Sequence, residues 1–256
     1  MKPAPARPDE PEIVAHRGDA EHFPENSLPG LEAAWRLGLR YAEFDVQLSA
    51  DGVPYVIHDA RLDRTTNTTG DLRFMTSGQL DGIDAGEPRR FGAQHAGTRL
   101  PRLADVAALM TGIPGAMAFV EMKRASLVHH GRVFGIERIL AALAGVLDRC
   151  TMISFDLEAC RLARLAGSAP IGWVFESEFA AQLPALRALQ PEFAFCDHRL
   201  LPAGDSLPRG SWAWAVYEVT DGALARALHS RGVALVESMA PARLRMELAA
   251  RTEQNA

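Results

Sequence analysis

Much of what would class this chain at a glance is missing from it. It has three cysteines, Cys150, Cys160 and Cys196, an odd number, widely spread and without C-x-x-C spacing. A disulfide scaffold and a thiolate metal centre are both excluded, and reduced thiols are expected. No apolar run approaches the roughly 18 residues that a membrane-spanning helix needs, so stable membrane insertion is not expected. Lysine is scarce, no basic block occurs and the net charge is −5. That argues against nucleic acid as a partner, because neutralising a phosphate backbone takes clustered cations. A small phosphate ligand needs only a few cations and a metal. The stretch Met1 to Pro11 is rich in proline and charge and lacks an apolar core. It reads as a disordered lead rather than an export signal, and the protein is expected in the cytoplasm. For the same reason Asn67-Thr68-Thr69 carries no weight as a glycosylation acceptor. The composition, rich in alanine and arginine and poor in lysine, looks bacterial.

What is present is an ordinary apolar share, 48%, and an alternation of short strands with helices over 256 residues. Strand-like runs cover Ile13–His16, Tyr41–Leu48, Ala116–Glu121, Thr151–Ser154, Ile171–Phe175, Phe193–Cys196, Trp212–Tyr217 and Val233–Glu237. Helical patterns lie between most of them, the first capped by Asn26 or Ser27 and running through Leu28, Leu31, Trp35 and Leu39. Eight such units predict one closed (β/α)8 TIM barrel over residues 12–256. No self-similar repeat points to a solenoid. After the second strand, Asp51-Gly52 reads as a hairpin turn, with Val53–His58 returning antiparallel. If Ala50 pairs with Val53, Asp45 stands opposite His58. An irregular insertion, about residues 59–104, follows and is expected to form short helices over the site.

The chemistry-bearing residues sit at the C-terminal ends of these runs, which in a barrel form one mouth. His16 follows the first strand, Glu43 and Asp45 share one face of the second, and Glu121 ends the third with Lys123 two residues on. Phe44 and Val46, which alternate with the acids, are apolar and suit the helix side of a strand, so the acids face the lumen. Three carboxylates make an oxygen-rich site for Mg²⁺ or Ca²⁺. His16 and His58 suit acid and base work near neutral pH. Arg17 and Lys123 suit a phosphate. His22, His95, His129, His130 and His229 are expected at the surface, and Arg61 and Arg64 as loop hydrogen-bonders.

In order and spacing, His16-Arg17-Gly18, Pro24-Glu25-Asn26-Ser27, Glu43-x-Asp45-Val46, Asp51-Gly52, His58-Asp59, Leu62-x-Arg64-Thr65-Thr66, Pro101-Arg102-Leu103, Glu121-x-Lys123 and Ser154-Phe155 resemble the glycerophosphodiester phosphodiesterase family over about residues 12–175. The resemblance implies a divalent metal on Glu43, Asp45 and Glu121, acid and base roles for His16 and His58 in an order left open, and Arg17 and Lys123 at the phosphate. Glu25 would lie near the metal or the substrate glycerol. The implied reaction turns a small-molecule glycerophosphodiester and water into glycerol 3-phosphate and an alcohol, through attack by the glycerol 2-hydroxyl and a cyclic phosphate.

The C-terminal third departs from the family pattern. Trp214-Ala215-Val216-Tyr217 replaces the usual Trp-Thr-Val-Asn, and Val236-Glu237-Ser238-Met239-Ala240-Pro241 replaces the usual ending in Thr-Asp before proline. Trp214 and Tyr217 are expected to line the mouth and touch substrate. With Trp212 and Phe175 they could give an apolar mouth suited to a lysophospholipase D-like enzyme, while ordinary barrel packing is expected for at least half of the four. A non-catalytic barrel binding a phosphorylated ligand is the remaining alternative, weakened by the survival of every core polar residue.

Overall fold

Residues 10–167 and 170–250 are described in the computed structural model; the expected lead lies largely outside them. β1 (Glu12–His16) leads into a loop and α1 (Leu28–Arg36), then β2 (Tyr41–Leu48) and the short β3 (Pro54–Val56). The insertion follows, with α2 (Ser77–Leu80) and α3 (Pro88–Phe91), and α4 (Leu103–Thr111) returns the chain to the barrel. Next come β4 (Met117–Met122), α5 (Arg124–His130), α6 (Arg132–Ala142), β5 (Cys150–Ser154) and α7 (Leu157–Leu165). The chain ends with β6 (Ile171–Phe175), α8 (Phe179–Leu189), β7 (Phe193–Asp197), β8 (Ala213–Tyr217), α9 (Gly222–Ser230), β9 (Val233–Ser238) and α10 (Pro241–Ala249).

Eight parallel strands, β1, β2 and β4 to β9, form a ring that closes where β1 pairs with both β2 and β9. This is the (β/α)8 barrel that the alternation predicts. Side chains divide by strand parity. Phe44, Val46, Val120 and Met152 point outward into the shell beneath the helices. Val14, Tyr41, Phe119, Ile153, Phe195 and Leu235 fill the lumen. Phe119 is the hub of that layer, edge-on to Phe193 and Phe195 with ring centroids 5.0 Å away from each. The lumen is therefore a packed floor with the polar strand ends above it. No helix among the described residues is long and apolar enough to cross a membrane.

The hairpin register differs from the expectation by one residue. Val46 pairs with Val56 and Leu48 with Pro54, so Asp45 stands opposite Ile57, whose N–H donates to the Asp45 carbonyl at 3.0 Å. Three residues, not two, make the turn: Ser49 and Val53 close it, and Gly52 takes the left-handed conformation at φ +74°. The strand stops before His58, which approaches the site from the following loop. The insertion has its own small core, with Tyr55, Leu62, Leu72 and Leu80 fully buried. It contains the expected short helices and braces the loop after β1 through Arg64 and Glu87.

Candidate active site

The loop after β1 is bent so that its side chains face the barrel mouth. Arg17 and Gly18 have φ of +59° and +83°. A Cβ at Gly18 would stand 2.7 Å from the Gly30 carbonyl carbon, so only glycine lets the loop fold onto the start of α1. Ser27 caps α1, accepting from Gly30 N–H at 3.2 Å. Asn26, the other candidate cap, instead grips β2: its Nδ2 donates to Asp45 Oδ2 at 2.7 Å, and its Oδ1 accepts from Asp45 N–H at 3.1 Å.

Glu43, Asp45 and Glu121 come together as expected, offering ligand oxygens that all lie within 4.8 Å of one another. Lys123 Nζ bridges Asp45 Oδ1 at 3.1 Å and Glu121 Oε1 at 2.8 Å. Arg17 N–H donates to Glu43 Oε2 at 3.2 Å, while Arg17 Nε lies 3.2 Å from Asp45 Oδ2 without the alignment of a hydrogen bond, an ion pair only. Burial favours the neutral form of Asp45, but Lys123 and Arg17 overcome it and hold this carboxyl well below the usual range. Burial, then the charge of Asp45, raises Glu43 well above its ordinary value and pushes Glu121 up to about 7. Glu43 Oε1 is buried with no hydrogen-bond partner. Crowded carboxylates with an orphaned oxygen fit a hard divalent cation, and these three residues would hold it.

His16 and His58 are each backed by a carboxylate. His16 Nδ1 lies 2.7 Å from Glu218 Oε2, and the other oxygen of Glu218 accepts from Met239 N–H at 2.7 Å. His58 Nδ1 lies 2.7 Å from Asp59 Oδ1, and Asp59 Oδ2 accepts from Arg64 Nε at 2.6 Å. With Nδ1 engaged in both rings, Nε2 is the nitrogen left for chemistry. Burial alone would lower both pKa values. At His16 the Glu218 hydrogen bond and the Glu237 charge outweigh burial and the pKa is raised; at His58, Lys123 and Arg17 add to burial and it is lowered.

These groups open on a cavity of about 200 Å³. His16, Arg17, Glu43, His58, Glu121 and Glu237 form its polar wall; Ile153, Phe155, Val174, Phe195 and Tyr217 form the apolar one. A larger cavity, about 540 Å³, lies at the opposite end of the barrel between β1 and α10 and holds none of the histidines. We place the site in the smaller one, where the strand C-termini converge.

Two expected positions differ. Trp214 does not line the mouth: it is on the outward parity of β8, packed on Phe179 at 5.1 Å, with Nε1 donating to the Pro208 carbonyl at 2.9 Å. Trp212 and Phe175 share that shell, so of the four aromatics only Tyr217 faces the cavity. Glu25 does not line the cavity either. It is clamped by Arg17 at 3.0 Å and by both terminal nitrogens of Arg64 at 2.8 Å, and so fixes the guanidinium of Arg17. Glu218 escaped the sequence reading; an acid directly after the end of the eighth strand was the available signal. Arg64 is the loop hydrogen-bonder expected of it.

The family model for the glycerophosphoryl diester phosphodiesterase family matches residues 16–236. The glycerophosphodiester phosphodiesterase of Caldanaerobacter subterraneus is 38% identical over 119 residues, 46% of this chain and 48% of that one. A Bacillus subtilis enzyme of the same name is 34% identical over 105 residues, 39% of this chain and 36% of that one. The chain thus spans about half or less of the length of these relatives. A phosphodiesterase from Oleispira antarctica, solved with the product sn-glycerol-3-phosphate, superposes with a TM-score of 0.81 at 22% identity, over 94% of this chain and 97% of that one. The glycerophosphodiester phosphodiesterase of Agrobacterium tumefaciens does so with a TM-score of 0.71 at 25% identity, over 92% and 99%. With a matching model across most of its length, a closed barrel and an acidic cluster at the mouth, this chain belongs to the glycerophosphoryl diester phosphodiesterase family.

Proposed function

We propose that the protein hydrolyses glycerophosphodiesters to glycerol 3-phosphate and an alcohol, with a divalent metal on Glu43, Asp45 and Glu121 and with His16 and His58 as acid and base. The observation that carries this reading is the pair of carboxylate-backed histidines facing the same cavity as the acidic cluster. When bound, the metal supplies positive charge that offsets the phosphoryl oxygens. Arg17 and Lys123 add fixed positive charge beside it, and Arg17 is held in place by Glu25.

The two histidines differ in what stands behind them. Asp59 is neutralised by Arg64, and burial together with Lys123 and Arg17 outweighs the charge of Asp45 and disfavours a proton on His58, so His58 is the base that removes the proton of the attacking hydroxyl. Glu218 is held only by a backbone N–H, and Glu237 adds negative charge, so His16 keeps its proton and gives it to the leaving alkoxide. One P–O bond forms, one breaks, and one proton moves from nucleophile to leaving group. Opening the resulting cyclic phosphate with water reverses the two roles.

The lysophospholipase D-like alternative loses three of the four aromatics expected to support it, Trp212, Trp214 and Phe175, to the shell. The test is glycerol 3-phosphate release from glycerophosphocholine and glycerophosphoethanolamine, with Mg²⁺ or Ca²⁺, for the wild type, His16→Ala and His58→Ala. Each substitution is expected to lower kcat about 100-fold or more. Turnover unchanged by either would remove the histidines from the reaction.

A further inference from the structure

The reaction as drawn uses Glu237 only for its charge near His16 and gives the carboxylate no hydrogen-bonding partner. Glu237 lies on the inward parity of β9, level with Val14 on β1 and one residue beyond the Val216–Val236 pair, which sets it beside Tyr217. It is 3% exposed, lines the cavity, and its Oε1 has no hydrogen-bond partner. A carboxylate oxygen buried without a partner is costly, and the carboxylates that brace this site avoid that. Glu25 has two guanidiniums, and Asp45 has Asn26, Arg17 and Lys123. His16 is the neighbouring cation, but its Nδ1 is already taken by Glu218.

Ile153, Phe155, Val174 and Phe195, with Tyr217 beside Glu237, line the rest of the cavity, a wall whose one polar side-chain atom is the phenol oxygen of Tyr217. A neutral polyol would need donors and acceptors along such a wall. An alkylammonium needs what is there: one carboxylate for its charge, and aromatic and apolar surface for its carbons. We infer that Glu237 and Tyr217 form a subsite for a positively charged head group, making the protein selective for diesters of alkylammonium alcohols over diesters of neutral ones. This rests on the reaction proposed above.

The test compares kcat/KM for glycerophosphocholine and glycerophosphoethanolamine with that for glycerophosphoglycerol, with Mg²⁺, in the wild type and Glu237→Gln. The wild type is expected to favour the cationic diesters by about tenfold or more, and Glu237→Gln to abolish most of that ratio, chiefly through KM. A common fall in kcat is expected from the Glu237 charge near His16; a substrate ratio unchanged in Glu237→Gln would overturn the inference and leave Glu237 acting on His16 alone. Titration calorimetry of the wild type with choline and with its uncharged carbon isostere, dimethylbutanol, needs neither turnover nor a variant. Choline is expected to bind about tenfold more tightly or better; equal binding overturns the subsite. If no diester is turned over, the hydrolytic reading fails while the calorimetry still decides the subsite.

Discussion

At the scale of the residue, the site depends on what holds each polar group as much as on the groups themselves. Glu218 shows this. Its carboxylate is fixed at one oxygen by Met239 N–H and presents the other to His16 Nδ1, which sets the tautomer and aims Nε2 at the cavity. Glu218→Leu removes the acceptor, and kcat is expected to fall about 10–100-fold with little change in KM. Glu218→Gln keeps an acceptor oxygen and is expected to recover most of the loss. The ¹⁵N shifts of the neutral His16 ring, read at alkaline pH, report the same difference: Nδ1–H dominates in the wild type and the Gln variant and is lost in the Leu variant. Equal kcat in all three would show that Glu218 does not position His16. The acids, histidines and cations of the site were legible in the sequence because each lies at or just beyond a strand end. Glu218 also lies just beyond a strand end, but that position alone does not announce that the acid will meet a histidine on the first strand.

At the scale of the element, strand parity decides which aromatics meet substrate. Ala215 and Tyr217 face the lumen; Trp214 and Val216 face the helices. Trp214→Phe therefore removes a shell contact and the hydrogen bond to Pro208. It is expected to cost about 1–2 kcal/mol in thermal or denaturant unfolding while leaving KM within about twofold. A large rise in KM with unchanged stability would put Trp214 at the mouth after all. The strands and most helices were readable from apolar runs, and so was the lumen face of Glu43 and Asp45. The hairpin register was not, because Asp51-Gly52 signals a turn without giving its length. The extra residue turns a predicted Asp45–His58 pairing into Asp45–Ile57, and His58 reaches the site from the loop instead. The short α5 was hidden because its pattern breaks at Gly131, where φ is +88°. The insertion gave no periodic signal because its core is assembled from single residues in successive turns.

At the scale of the whole molecule, a ring of buried carboxylates couples the fold to pH and to metal. Glu121 and Glu237 are pushed up to about 7 from an ordinary value of 4.5, and Glu43 is also raised. A carboxyl whose folded value exceeds its free value holds its proton more tightly in the folded chain, so metal-free stability falls as pH rises from about 4.5 through 7. His16, raised above 6.5, acts in the same direction: its contribution is present below its free value and is lost as pH rises through the folded one. His58, lowered from 6.5, opposes it. Asp45 also runs the other way, but its loss comes only as pH falls below its free value of 3.8. A divalent cation on Glu43, Asp45 and Glu121 replaces those protons. The gain in Tm from saturating Mg²⁺ is therefore expected to be larger at pH 8 than at pH 6, as read by scanning calorimetry. Equal gains at the two pH values would mean that the ion binds elsewhere.

The most direct test of a metal-dependent diesterase is turnover against metal. Glycerol 3-phosphate release from glycerophosphocholine would be followed after chelation and during stepwise return of Mg²⁺ or Ca²⁺, with Glu43→Gln beside the wild type. The account predicts no turnover in chelator, full recovery on adding back one of the ions, and a variant that needs far more metal or never recovers. Undiminished turnover in chelator, or a Glu43→Gln variant with the wild-type metal dependence, would contradict it.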